Sequence, residues 1–176
     1  MASSAGVRAL AMDDVAIIDF EASCLPEQGE SYPIEVALAR VGGPAKSWLI
    51  RPAVRWRYWD WSKDAEAMHG ISRDMLAARG LPPIQVLNEL AREAAGCQVY
   101  ADSDLDAFWL ETLAEACGRQ PPFPILYLGE LFQQMHATPT AIVRAEDAAR
   151  IRLPQQHVAC KDARRLAIAV ELLSRA

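Results

Sequence analysis

The sequence predicts an α/β fold, with a five-stranded mixed central sheet and helices on both faces. Three features point to it. Residues 15–18, Val-Ala-Ile-Ile, are a short, β-branched apolar run of the kind found in a strand buried on both faces. Two further strand-like segments follow with only short turns between them, as in an antiparallel meander. The remainder mixes short strand-like runs with segments whose apolar residues recur at helical spacing.

The first strand runs from Val15 to Glu21 and ends in Asp19-Phe20-Glu21. Side chains alternate along a strand, so the two acids share one side and Phe20 faces away. Residues 22–30 contain Pro26 and Gly29 and read as a loop. Residues 32–41 form the second strand, with Ile34, Val36 and Leu38 alternating against Glu35, Ala37 and Ala39, and Gly42-Gly43-Pro44 turns the chain into a third at 46–50. Residues 51–61 interleave Arg51, Arg55 and Arg57 with Trp56, Tyr58, Trp59 and Trp61. They read as an irregular loop whose tryptophans pack beside the sheet, although the same composition suits stacking on bases and holding phosphates.

Short helices are expected at 62–68 and 72–79, with His69-Gly70-Ile71 between them, and a longer one from Pro82-Pro83 to Gly96. Residues 97–101 are the fourth strand. Asp102-Ser103-Asp104 opens a helix that ends at Gly118 and carries Asp106 in its first turn. A fifth strand at 123–128, a brief helix at 130–136, and a short helix leading into a loop over 137–154 come next. The last helix spans 158–175, with His157 just before it and Asp162 within it.

A chain of 176 residues fits one core; the expected organisation is an N-terminal tail, residues 1–13, and a single domain, 14–176. Four scattered cysteines with no Cys-x-x-Cys pair suggest neither a zinc site nor a disulfide framework, and fit a reducing, cytoplasmic location. No apolar run approaches the ~20 residues that span a membrane. The net charge of −5 argues against a protein that coats nucleic acid through a broad basic face. It leaves open an enzyme that grips a few nucleotides at one metal-filled cleft. The absence of Gly-x-Gly-x-x-Gly after the first strand, and of Gly-Lys-Ser/Thr anywhere, removes support for a dinucleotide fold or a P-loop. Two like charges at the end of a buried strand are costly to desolvate unless a cation sits between them, and a divalent metal is the simplest such cation.

Asp19-x-Glu21 on the first strand, Asp106 at a helix start after a mid-chain strand, and His157-Val-Ala-Cys-Lys-Asp162 opening the final helix resemble, in this order, the three motifs of the DEDDh (DnaQ-like) 3′→5′ exonucleases. His69-Gly70-Ile71 is similar to a His-Gly-Ile found between the first two motifs in that family, which includes ribonuclease T and oligoribonuclease relatives. The resemblance implies a ribonuclease H-like fold. It also implies two divalent ions, Mg²⁺ or Mn²⁺, held by Asp19, Glu21, Asp106 and Asp162, with His157 as the general base. Phe20, Leu25 and His69 are the substrate-binding candidates. Phosphodiester hydrolysis suits such a set, since a pair of hard cations activates a water and holds charge on the phosphoryl and leaving oxygens.

The chain departs from the pattern at Cys24, where a glycine is usual, and at Tyr100-Ala101-Asp102, where His-Asn is usual. Asp102, Asp104 and Asp106 therefore compete for the second-motif role. Asp106-Ala-Phe-Trp109-Leu110 matches the family's Asp-x-x-aromatic-Leu. The expected activity is a metal-dependent 3′→5′ exonuclease on single-stranded RNA or DNA ends, RNA slightly favoured. The alternative is a non-catalytic nucleic-acid-binding module on the same fold. Related ribonucleases include dimers, so a homodimer is a further expected arrangement.

Overall fold

The computed structural model describes residues 11–154 and 157–175. Most of the expected tail, residues 1–10, lies outside the described residues, and Met12–Asp14 form one 3₁₀ turn. Strand β1 (Val15–Ala22) pairs antiparallel with β2 (Pro33–Arg40) and parallel with β4 (Gln98–Ala101). Strand β3 (Ala45–Leu49) joins β2 antiparallel, and β5 (Ile125–Tyr127) joins β4 parallel. The order β3-β2-β1-β4-β5 makes a mixed sheet, with β1 at its centre as its unbroken apolar run requires.

Alternation sorts the core into two layers. Ala16, Ile18 and Phe20 meet Ile34, Val36 and Trp48 under α3 (Pro83–Glu93) and α4 (Leu105–Ala116). Val15 and Ile17 meet Ala37 and Ala39 under α5 (Leu128–Gln134) and α7 (Ala159–Ser174). Ala159, Ala163 and Ala167 recur every fourth residue on α7 and are buried against this second face. Small residues on helix and sheet alike allow the helix to lie close to β1 and β2. Asp19 and Glu21 continue the Val15, Ile17 row and so emerge on the α7 side.

The two short helices are α1 (Lys63–His69) and α2 (Arg73–Arg79), each capped by a serine, Ser62 or Ser72, that accepts a backbone N–H. In the Trp-rich segment Trp56 is buried and stacks on Tyr32 at 5.4 Å, so part of it packs beside the sheet as expected. Residues 137–154 differ from expectation. Instead of a short helix and a loop they form the 14-residue α6 (Pro139–Arg152). Thr138 caps it by accepting the Ala141 N–H at 3.2 Å, Pro139 sits in its first turn, and Ala145 and Ala149 are buried in a cluster with Ala169 of α7. Among the described residues no helix is long and apolar enough to cross a membrane.

Candidate active site

At the open end of β1, one strand and one helix bring three acids together. Asp19 and Glu21 come from β1 and Asp162 from the first turn of α7, and one ligand oxygen from each lies within 4.8 Å of the others. All three are partly buried. Burial and crowding raise the proton affinity of the two strand acids. Burial, then the charges of Asp106, Glu21, Asp162 and Asp102, push Asp19 well above the usual carboxylate range. Burial, Asp162 and Glu35 push Glu21 up to about 7. Glu35 stands opposite Glu21 in the β1–β2 register, is 8% exposed, and is itself raised by burial.

The three acids that competed for the second-motif role separate clearly. Asp106 is 2% exposed in the first turn of α4, and its Oδ1 accepts the Phe20 N–H at 2.9 Å. Burial and Asp102 push it up to about 8, against the opposing bond from Phe20. Asp102 is exposed and shares a cavity wall with Asp19, whereas Asp104 is the exposed N-cap position of α4. Asp106 stands behind β1, tied to the backbone between the two motif acids, and is not one of the three converging oxygens.

His157 is exposed in the bend before α7 and has φ 56°, a left-handed conformation that non-glycine residues seldom adopt. It lines a cavity of about 290 Å³ together with Asp19, Asp102, Asp162, Arg150 and Arg165. The next residue, Val158, donates its N–H to Asp162 Oδ2 at 3.2 Å, which ties that carboxylate back to the start of α7. Asp162 Oδ1 pairs with Arg165 at 2.7 Å, and Arg165 Nε donates to the Leu153 carbonyl at 3.1 Å. Sequence reasoning missed Arg165 and Arg150. The signal for Arg165 is its position three residues after Asp162 on one helix, where side chains meet.

The substrate-binding candidates are placed differently from one another. Leu25 is 44% exposed on the loop after β1. That loop is braced where Ser31 Oγ donates to the Cys24 carbonyl at 2.5 Å and accepts from Trp109 Nε1 at 3.0 Å. The Phe20 ring is buried in the core under α3 and α4, and only its N–H reaches toward the acids. His69 ends α1; its Nδ1 accepts the Ile71 N–H at 3.0 Å, which orders the turn between the two short helices. Burial lowers its pKa, opposed by the backbone at Ala22.

No protein-family model matches the sequence, and no curated protein matches it. Solved structures do match. The nuclease domain of 3′hExo, a DEDDh family member bound to rAMP, shares 20% identity at a TM-score of 0.67, covering 94% of each chain. A 3′-exonuclease seen recognising a histone mRNA stem-loop shares 18% identity at 0.67, over 94% of this chain and 83% of its own. E. coli exonuclease I in complex with a dA16 oligonucleotide shares 14% identity at 0.68, over 92% of this chain and 41% of its own.

Proposed function

We propose, for a chain that carries the fold of the DEDDh 3′→5′ exonucleases, that it is a metal-dependent 3′→5′ exonuclease releasing nucleoside monophosphates from single-stranded ends. The observation that supports this most is the convergence of Asp19, Glu21 and Asp162 within 4.8 Å, in a cavity that two of them share with His157. Three crowded carboxylates, with Asp19 and Glu21 raised in proton affinity, suit a hard, multiply charged cation, and an all-oxygen donor set suits Mg²⁺ or Mn²⁺. Asp19, Glu21 and Asp162 would hold one ion. Asp19 would also reach a second, with Asp106 serving it directly or through water. Two such ions supply Lewis-acid stabilisation of the phosphoryl group and lower the pKa of an attacking water.

The chain's own residues do the rest. His157 takes the water's proton as general base, and its position in an exposed bend lets the ring approach the cleft. Leu25 packs against the terminal base. His69 and the Phe20 backbone shape the floor beneath it. RNA ends are favoured over DNA because the chain is acidic and compact, though the similar folds include one holding rAMP and one holding dA16.

The test uses a 5′-labelled single-stranded RNA and its DNA twin with Mg²⁺, Mn²⁺ or EDTA, beside Asp19→Ala and His157→Ala. A ladder shortening from the 3′ end, dependent on metal and lost in both variants, is expected, with RNA the faster substrate. Binding without cleavage under any metal would overturn the reading and leave the non-catalytic module.

A further inference from the structure

We propose that Arg57, Tyr58, Trp59, Trp61 and Arg73 form a second binding surface, which holds single-stranded nucleic acid some nucleotides away from the reacting end. Residues 51–79 carry six basic and four acidic side chains, a local positive surplus in a chain of net charge −5. The surplus falls where aromatic groups reach the surface. Tyr58 is 86% exposed, Arg57 and Arg73 are exposed, and Trp59 and Trp61 are half-buried. Guanidinium groups already lie over these rings, Arg57 at 5.6 Å from the Tyr58 centroid and Arg73 at 5.0 Å from that of Trp61. Arg73 also donates to the Trp59 carbonyl at 3.4 Å. A base stacked on such a ring finds a cation beside it for its phosphate, in the manner of sequence-tolerant single-strand binders.

Hydrogen bonds and ring contacts tie this surface to the loop that follows β1. Trp56 anchors it from below by stacking on Tyr32. Asp60 N–H donates to the Glu30 carbonyl at 3.0 Å, Glu30 N–H donates to Asp60 Oδ2 at 2.8 Å, and Ser62 N–H donates to the Ser23 carbonyl at 2.8 Å. These bonds stitch the segment to the loop that carries Leu25. On its other side Trp61 meets His69 edge-on at 6.5 Å. The surface therefore adjoins the loop of Leu25 and the turn of His69, the two segments proposed to meet the terminal nucleotide.

The nature of the ligand rests on the proposed function, but the surface is tested without catalysis. Anisotropy of labelled single-stranded 4-mers and 12-mers in EDTA is compared for wild type and Arg57→Ala/Tyr58→Ala, two exposed positions that the fold does not need. The variant should bind the 12-mer at least about fivefold more weakly and bind the 4-mer unchanged. Its log–log salt slope should fall by about 0.7 for the lost arginine. Equal affinity in wild type and variant, or no 12-mer binding by wild type, overturns the proposal. So does a variant that changes only the sedimentation coefficient, which would mark the surface as a contact between copies. Adding Mn²⁺ separates the two readings: a length-dependent binder that cuts nothing keeps the surface and loses the nuclease, and a nuclease indifferent to the variant does the reverse.

Discussion

Asparagine at position 106 would keep the oxygen that accepts the Phe20 N–H and remove a buried charge whose pKa burial and Asp102 push up to about 8. In EDTA at pH 9, where that carboxylate must be ionised in the native state, Asp106→Asn should raise Tm by about 2–4 °C for each kcal/mol relieved. Cleavage in Mn²⁺ should nevertheless fall at least about tenfold. A variant that gains stability and keeps full activity would remove Asp106 from the metal set. His157→Ala should lower kcat by about 10²–10⁴ while calorimetric Mn²⁺ binding stays intact, since it is not one of the three converging ligands. The resemblance singled these residues out by their type and their order along the chain, and the structure brings Asp19, Glu21 and Asp162 together. The same logic did not reach Arg165, whose bond to the Leu153 carbonyl depends on how α6 ends beside α7. Nor did it reach the burial of the Phe20 ring in the opposite core layer, although the strand's alternation already turns that ring from the acids.

The α7 helix sets the spacing of the carboxylates through its alanines. Ala163, 0% exposed and one residue from Asp162, lies in the contact with the sheet. Ala163→Leu should cost about 1–3 kcal/mol in a urea or thermal melt, since the added methylenes have no space to enter. It should also weaken Mn²⁺ binding by moving Asp162 away from Asp19 and Glu21. Unchanged Mn²⁺ affinity would show that the convergence tolerates a displaced helix. At this scale the sequence was clearest for β1 to β3, α1 and α2, where strand alternation, turns and serine caps all agree. It was weakest for α6, whose apolar residues do not collect on one face and whose burial is confined to Ala145 and Ala149. That helix is held by its Thr138 cap and by contact with α7, a partner far along the chain.

Across the whole molecule, burial and charge crowding of the acids link stability to pH. Glu21 and Asp106 bind protons more tightly folded than unfolded, so the native state holds more protons between the ordinary and the raised values. Stability of the metal-free protein should therefore fall as pH rises, from 4.5 to about 7 through Glu21 and from 3.8 to about 8 through Asp106. The Glu21 part is on the order of 3 kcal/mol. Melts in EDTA should be lower at pH 8 than at pH 5, and Mn²⁺ should raise Tm much more at pH 8. Equal melting at both values would mean that neither burial nor neighbouring charge raises these acids. The mixed sheet and its two helical layers were legible from the strand and helix patterns, whereas the distribution of helices between layers depends on crossovers that no local pattern encodes. The site's composition has a consequence for the newborn chain. Strands β1 and β2 meet through a short loop and can pair early, but Asp162 is synthesised more than 140 residues after Asp19. A chain emerging from the ribosome thus carries its first two acids long before it can assemble the third beside them. The carboxylate cluster is completed last, after the rest of the sheet has had time to fold.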